Sequence, residues 1–320
     1  MPQTDRRPRA IFLMGPTASG KTALACELAA RYPALRAISV DSALVYRGLD
    51  IGSAKPDAET LRRCPHRLID IRDPEEPYSA GEFRVDALRE MAGIVASGGV
   101  PLLVGGTGLY FRALTQGLSD LPTADPALRE TLQARLEREG LPALHGQLRE
   151  ADPVAAGRIH PNDPQRILRA LEVIATTGRR LSDLHGQAGE RLPYRVLKLA
   201  LVPIDRRPLH ERIAQRFDAM LAAGFLDEVR RLRRNPRLLP DLPAIRAVGY
   251  RQAWQHLDGE LGADQFRDQA IFATRQLAKR QITMLRAELD ARWLDPEHGT
   301  TPATAVEAVE HFLASPREMA

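Results

Sequence analysis

Eight residues constrain this chain more than any others: Gly15, Pro16, Thr17, Ala18, Ser19, Gly20, Lys21 and Thr22 fit the phosphate-loop pattern G-x-x-x-x-G-K-[ST]. They lie between Ala10–Met14, an apolar run that reads as a buried strand, and a helical pattern over about Gly20–Arg31. That context is what gives the pattern meaning. Backbone amides around the glycines form an anion-binding nest, and the helix after the loop adds the positive end of its dipole. Lys21 then reaches across the phosphates, and the Thr22 hydroxyl is placed to ligate Mg²⁺. A di- or triphosphate site is expected. The loop does not say which phosphate compound it takes, and by motif alone ATP is a candidate.

The rest of the N-terminal third supports a sheet around that loop. Apolar runs at Ala37–Val40, Arg67–Ile71 and Pro101–Val104 alternate with helical patterns, as parallel strands with crossover helices do. Ser79 and Glu82 make a capping box that opens a helix to about Ser97, stopped by Gly98 and Gly99. From about Leu118 the texture changes. Asp125 and Pro126 form an N-cap and first-turn pair, and the chain beyond them reads as short helices with no convincing strand. A β-type run returns at Arg195–Val202. The chain then reads as helical from Asp205 to about Leu289, with breaks near Gly224 and Asn235-Pro236, and the tail after about Pro296 carries no signal. The fold class expected is α/β: a P-loop NTPase-like parallel sheet flanked by helices, with an inserted all-helical subdomain and a helical C-terminal part. The expected division is 1–118 for the first part of the core, 119–194 for the insertion and 195–320 for the remainder.

Composition narrows the function classes. The chain has 320 residues, of which 44% are hydrophobic and 27% charged, ordinary for a globular protein able to bury a large core. No stretch approaches the roughly 18 apolar residues of a membrane span. The first nine residues do not read as a signal peptide, so the cytoplasm is the default expectation. Cys26 and Cys64 are too few for a disulfide framework or a four-thiolate metal site. A net charge of +4 does not by itself imply a nucleic-acid partner. Lys21, Lys55, Lys198 and Lys279 are the only lysines; the arginine excess fits a genome bias as well as phosphate recognition.

Three further signals bear on chemistry. Asp41 ends the second strand run, where an α/β sheet faces its ligand crevice. There it can hold Mg²⁺ through water or take a proton from a nucleophile, and a helix cap is its structural alternative. Gly105-Gly106-Thr107-Gly108 comes after the PLLV strand; glycines there admit close approach, and Thr107 offers a hydroxyl, unless the run is merely a tight turn. A routine ATPase carries an acidic residue after such a strand, and this run has none. In the late helix, Arg275, Lys279 and Arg286 share one stripe beside Arg280, and no acidic residue interrupts Ile271–Arg286. Such a row suits a phosphate backbone, although a solvated face looks the same.

Taken together, GPTASGKT (Gly15–Thr22), ISVDSALVYRGLDIGSAKP (Ile38–Pro56), PHRLIDI (Pro65–Ile71), LLVGGTGLY (Leu102–Tyr110), HPNDPQRILRALEV (His160–Val173), IRAVGYRQ (Ile245–Gln252) and ATRQLAKRQITMLR (Ala273–Arg286) resemble the bacterial tRNA dimethylallyltransferases, or isopentenyl-tRNA transferases. The loop is widespread, but these runs in this order are specific to that family. The resemblance implies transfer of a dimethylallyl group from dimethylallyl diphosphate to the exocyclic N6 of the adenosine 3′-adjacent to the anticodon, in tRNAs reading codons that begin with U. It implies that the phosphate loop holds the diphosphate, with Mg²⁺ on Thr22, and that Asp41 takes hydrogen bonds and a proton from the adenine amine. Thr17 and Thr107 match residues of the reaction channel, and Arg216 matches an arginine on the diphosphate.

The tRNA-contacting positions implied are Asp41, Ser42, Ala43, Leu44, Thr107 and Arg129; Gln165, Arg166, Ile167, Leu168 and Arg169; Arg246, Ala247, Val248, Gly249, Tyr250 and Arg251; and Lys279, Arg280, Gln281, Ile282, Thr283, Met284, Leu285 and Arg286. The insertion is expected to clasp the anticodon stem-loop, and the enzyme to work as a monomer away from membranes. Two other classes stay open: a small-molecule kinase using ATP, and a non-catalytic RNA-binding module switched by a nucleotide.

Overall fold

The computed structural model describes residues 7–118, 121–122, 125–184 and 190–315. Strand β1 (Arg9–Met14) is buried from Ala10 onward, because neighbouring strands take both its edges and helices cover both its faces. After it come α1 (Lys21–Arg31), β2 (Leu35–Val40), α2 (Ala58–Arg63), β3 (His66–Arg67), α3 (Ala80–Ala96), β4 (Val100–Gly105) and α4 (Gly108–Gln116). Helix α3 starts on the expected capping box: Ser79 Oγ accepts from Glu82 N at 3.1 Å and Glu82 Oε2 accepts from Ser79 N at 2.8 Å. Helices α5 (Pro126–Glu139), α6 (Leu141–Ala151), α7 (Pro153–Arg158), α8 (Pro164–Thr177) and α9 (Leu181–Leu184) come next. The chain ends with β5 (Arg195–Leu201), α10 (Arg207–Ala222), α11 (Phe225–Leu232), α12 (Tyr250–Leu257), α13 (Ala263–Leu285), β6 (Arg292–Leu294) and α14 (Thr301–Ala314).

All the strands run parallel, in the order β3-β2-β4-β1-β5-β6. The register pairs Ile11 with Leu102 on one side and Leu197 on the other. Side chains alternate across such a sheet. Ile11 and Leu13 join Leu24, Leu28 and Val309 in one core, while Phe12 meets the Phe111 ring at 5.1 Å on the opposite face. The chain forms two compact units, Met1–Ala113 with Pro193–Ala320, and Leu114–Leu192. The second has its own core around Leu144, Leu148, Ile167 and Ala170. No helix among the described residues is long and apolar enough to cross a membrane.

Three details differ from the sequence reading. The run Arg67–Ile71 is expected as a strand but only its start pairs with β2; Leu68 (φ 62°) and Asp70 (φ 56°) turn left-handed. The chain then bonds elsewhere, with Ile71 N and Arg72 N donating to Val45 O. The long C-terminal helical stretch is also broken at 258–262, where Gly259 takes φ 81°. Finally, β6 lies in a stretch given no element, and α14 lies in the tail after about Pro296 that carries no signal. β6 is too short to show a period, and α14 is recognised only by the apolar face it packs on the sheet, through Ala305, Val309 and Phe312.

Candidate active site

Parallel strands bring the loops at their C-terminal ends to one edge of the sheet. Met14 of β1 and Val40 of β2 both pair with Gly105 of β4, so the phosphate loop, Asp41 and the Gly105–Gly108 turn emerge side by side. Of these, Thr17, Ala18, Gly20, Lys21, Thr22, Asp41, Gly105 and Gly106 line a cavity of about 530 Å³ that also takes in Ser39, Leu44, Ser53, Ala54, Pro56, His66, Arg212, Gln215, Arg216 and Gln281, whereas Thr107 is not part of the lining.

The phosphate loop keeps its shape through backbone geometry that side chains would spoil. A Cβ on Gly15 would sit 2.5 Å from Leu201 O, and Gly20, at φ 88°, opens α1 with no side-chain cap. Ala18 adopts φ 63°, a strained value for a residue with a Cβ, of the sort that collects at functional sites. Distant elements clamp the loop: Thr17 N donates to Gln281 Oε1 at 2.8 Å, Arg216 donates to Thr17 Oγ1 at 2.5 Å, and Arg212 Nε donates to Ala18 O at 3.1 Å. Gly106 leaves room for this; a Cβ there would collide with the Gln281 amide.

Charge is concentrated in this cavity. Lys21 Nζ donates to Pro16 O at 2.6 Å, and burial lowers its pKa to about 8, partly offset by Asp41 and reinforced by Arg216. The Arg216 guanidinium is likewise held below its usual range by burial, against the pull of Asp41. Two cations are therefore desolvated within reach of one carboxylate, a site that gains by receiving an anion. Asp41 Oδ1 accepts from Ala43 N at 2.8 Å and Leu44 N at 3.3 Å, which fixes a turn; no helix starts here, so the helix-cap alternative is not realised. The structure records no hydrogen bond to Oδ2 among the described residues. Thr107 ties the adjacent loops, its N donating to Val40 O and its Oγ1 accepting from Ser42 N at 3.2 Å.

A divalent cation fits the donor set. Thr22, Asp41 and Ser39 line the cavity with hard oxygens, and Ser39 Oγ is buried without a hydrogen-bond partner among the described residues. No cluster of three or more His, Cys, Asp or Glu suited to a metal occurs among them. The site thus offers at most three protein side chains as oxygen donors and leaves the remaining positions to phosphate and water, as Mg²⁺ prefers.

Helical geometry divides the runs named for tRNA contact. Gln165 and Arg166 at the start of α8 are exposed, but Ile167 is core, Leu168 packs against that core, and Arg169 turns to the buried Glu172 at 2.9 Å. Arg129 faces the same carboxylate at 3.4 Å. Arg246 and Arg251 are exposed and Ala247 and Val248 partly so, whereas Gly249 and Tyr250 are buried. In α13, Ile282 and Leu285 are core, Met284 packs on Gly108, and Gln281 serves the phosphate loop. Lys279, Arg280, Thr283 and Arg286 keep an exposed face, while Arg275 donates inward to His210 O at 3.4 Å. The side chains of Ile167, Tyr250, Ile282 and Leu285 are thus buried in the protein, which leaves their exposed neighbours to present a surface. Arg212 and His66 receive no role in the sequence reading, and Ser39 stands in the run ending the second strand without one of its own. Arg212 has a signal, its i, i+4 spacing to Arg216, and Ser39 has its place two residues before Asp41; His66 has none.

Comparison with known proteins identifies the family. The IPP transferase family model matches residues 44–288. A tRNA dimethylallyltransferase of Stenotrophomonas maltophilia (strain K279a) is 61% identical over 298 residues, covering 91% of this chain and 94% of that protein. One of Xanthomonas axonopodis pv. citri (strain 306) is 60% identical over 316 residues, covering 97% and 96%. Among solved structures, the full-length tRNA isopentenylpyrophosphate transferase of Bacillus halodurans is 35% identical with a TM-score of 0.69, covering 97% of this chain and 96% of that one. A eukaryotic dimethylallyltransferase acting on tRNA gives a TM-score of 0.81 at 25% identity, covering 96% and 80%. With a matched family model across most of its length and relatives this similar, the chain belongs to the IPP transferase family.

Proposed function

We propose that this enzyme transfers the dimethylallyl group of dimethylallyl diphosphate to N6 of the adenosine 3′-adjacent to the anticodon, in tRNAs reading codons that begin with U, and releases diphosphate. Family membership and the tRNA dimethylallyltransferase relatives support the reaction class. The observation that carries the reading is that Lys21, Arg216 and Asp41 share one cavity with the phosphate loop.

An adenine amine is a poor nucleophile, since its lone pair is delocalised into the ring. The enzyme must place it in line with the donor carbon and stabilise charge on the leaving group. The loop amides, Lys21 and Arg216 supply positive potential where the departing diphosphate gains charge. As the C1–O bond breaks and the N6–C1 bond forms, the N6 proton passes to Asp41 acting as general base. Asp41 Oδ1 is engaged with the Ala43 and Leu44 amides, which orients the carboxylate. Thr22, with Ser39 beside it, would hold Mg²⁺, which when bound supplies further neutralisation of the phosphate oxygens. The target base must leave its stack, a cost of a few kcal/mol that contacts to the tRNA offset. The cavity is built from one chain, so a monomer suffices, and a tRNA substrate fits the cytoplasm.

The test is incubation with Mg²⁺, unmodified tRNA and labelled dimethylallyl diphosphate, beside tubes with γ-labelled ATP or without tRNA. Label entering tRNA only from the prenyl donor is expected. ATP turnover without transfer would put a kinase in its place.

A further inference from the structure

Ser53, Ala54 and Pro56 form part of the cavity wall, yet they sit in a stretch that is neither helix nor strand. Such a loop keeps one shape only where groups outside it satisfy its backbone. Glu228 of α11 does this, although its side chain is not part of the cavity lining and is buried at 2% exposure. Its Oε2 accepts from Asp50 N at 3.1 Å and Ile51 N at 2.7 Å, and its Oε1 accepts from Gly52 N at 3.2 Å and from the Tyr250 hydroxyl at 2.6 Å. One carboxylate thus ties consecutive loop amides to α11 and α12.

The packing repeats the connection. A Cβ on Gly52 would run into the rings of Phe225 and Tyr250, which stand edge to face at 5.1 Å. Lys55 secures the far side of the loop, its Nζ donating to Tyr46 O at 3.0 Å and pairing with Asp50 and Asp70. A hydrophobic residue in place of Glu228 would fill the volume but leave three amides and a phenol unsatisfied, so a carboxylate here is matched to the loop.

We propose that Glu228 is a positioning residue for prenyl transfer: through the Asp50–Gly52 amides it holds Ser53, Ala54 and Pro56 as a fixed wall that seats the prenyl portion of the donor. Ala54 and Pro56 are among the few apolar members of the lining, which suits them to the prenyl portion more than to its phosphates. The proposal rests on the transferase reading.

The test compares full-length wild type with Glu228→Gln and, in case that variant folds poorly, with Tyr250→Phe, which keeps every amide bond to the carboxylate. For Glu228→Gln, the KM for dimethylallyl diphosphate should rise roughly tenfold, the scale of one missing hydrogen bond to a charged group. Tyr250→Phe should shift it the same way by less. The KM for tRNA and the Kd for inorganic pyrophosphate should stay within about twofold, because the phosphate loop is untouched. Preference for the five-carbon donor over geranyl diphosphate should fall. If both variants lose only melting temperature, with donor KM and chain-length preference unchanged, Glu228 is structural and the proposal is overturned. If wild type transfers no label, the transferase reading fails by itself. Calorimetric Kd values for dimethylallyl diphosphate and pyrophosphate then decide, and an unchanged ratio in the variants overturns the positioning role.

Discussion

Lys21 and Asp41 face each other in one cavity, and their roles separate by protonation state. Burial puts Lys21 at about 8 against an ordinary 10.5, so between those values the unfolded chain binds more protons than the folded one. Stability therefore rises with pH across that window, and the cost of the buried ammonium is fully present below pH 8. A bound diphosphate supplies the missing partner and raises the lysine pKa. Diphosphate affinity is expected to stay flat between about pH 7, above the phosphate's own ionisation near 6, and about pH 8, and to weaken by up to roughly tenfold per unit above that. Calorimetry at about pH 9 in buffers of differing ionisation heat should show proton uptake on binding. Lys21→Met should melt higher than wild type at neutral pH while losing pyrophosphate binding; a lower melting point would contradict the desolvation account. For Asp41, alanine would also remove the turn hydrogen bonds from Ala43 N and Leu44 N, worth about 1 kcal/mol. Asp41→Asn retains an accepting oxygen and isolates the base. It should cut kcat by roughly 10²–10⁴ and leave tRNA affinity near wild type; near-normal turnover would dismiss the base assignment.

Helix α13 shows what a sequence pattern can and cannot reveal. Its lack of acidic residues over Ile271–Arg286 is visible in one reading, and Lys279, Arg280 and Arg286 do emerge exposed, with no ion pair recorded. Arg267, earlier on the same helix, is by contrast paired with Asp218 at 2.7 Å. Replacing Lys279 and Arg280 with alanine should weaken tRNA binding and reduce the magnitude of its log–log salt slope by roughly one for each phosphate no longer neutralised. An unchanged slope would make the face merely solvated. The opposite edge of the same helix was not legible in that way. Gln281 supports Thr17 from 264 positions away, and nothing local in the sequence announces a contact of that span. The same limit explains β3 and Arg169. Local pattern finds caps and the phosphate loop because near neighbours stabilise them, and it finds strands because burial on both faces leaves a continuous apolar run. It misses partners chosen by tertiary packing, such as Ser39 beside Thr22 in the cavity or Glu172 for Arg169.

At the scale of the whole molecule, the unit Leu114–Leu192 has to hold together on a core far smaller than that of the sheet-bearing unit. Small cores are marginal, so single buried groups matter more in them. Glu172, at 2% exposure, accepts from Asp125 N at 3.0 Å and pairs with Arg169 and Arg129, and Arg169 in turn donates to Pro122 O at 2.7 Å. It therefore fastens the start of α5 to α8. Removing one member of a buried ionic network costs about 3–5 kcal/mol, because the partners are left uncompensated. Half-exposed Arg129 regains water and moderates that figure. Glu172→Ala should accordingly destabilise this unit well before the sheet, whose residues do not depend on it. If the unit is what clasps the anticodon stem-loop, the variant will bind tRNA more weakly while its Kd for pyrophosphate stays that of wild type. Measuring both on one preparation separates the cases: parallel loss of both affinities would show that the two units do not fold independently, and full tRNA affinity with an unfolded unit would remove the insertion from tRNA recognition.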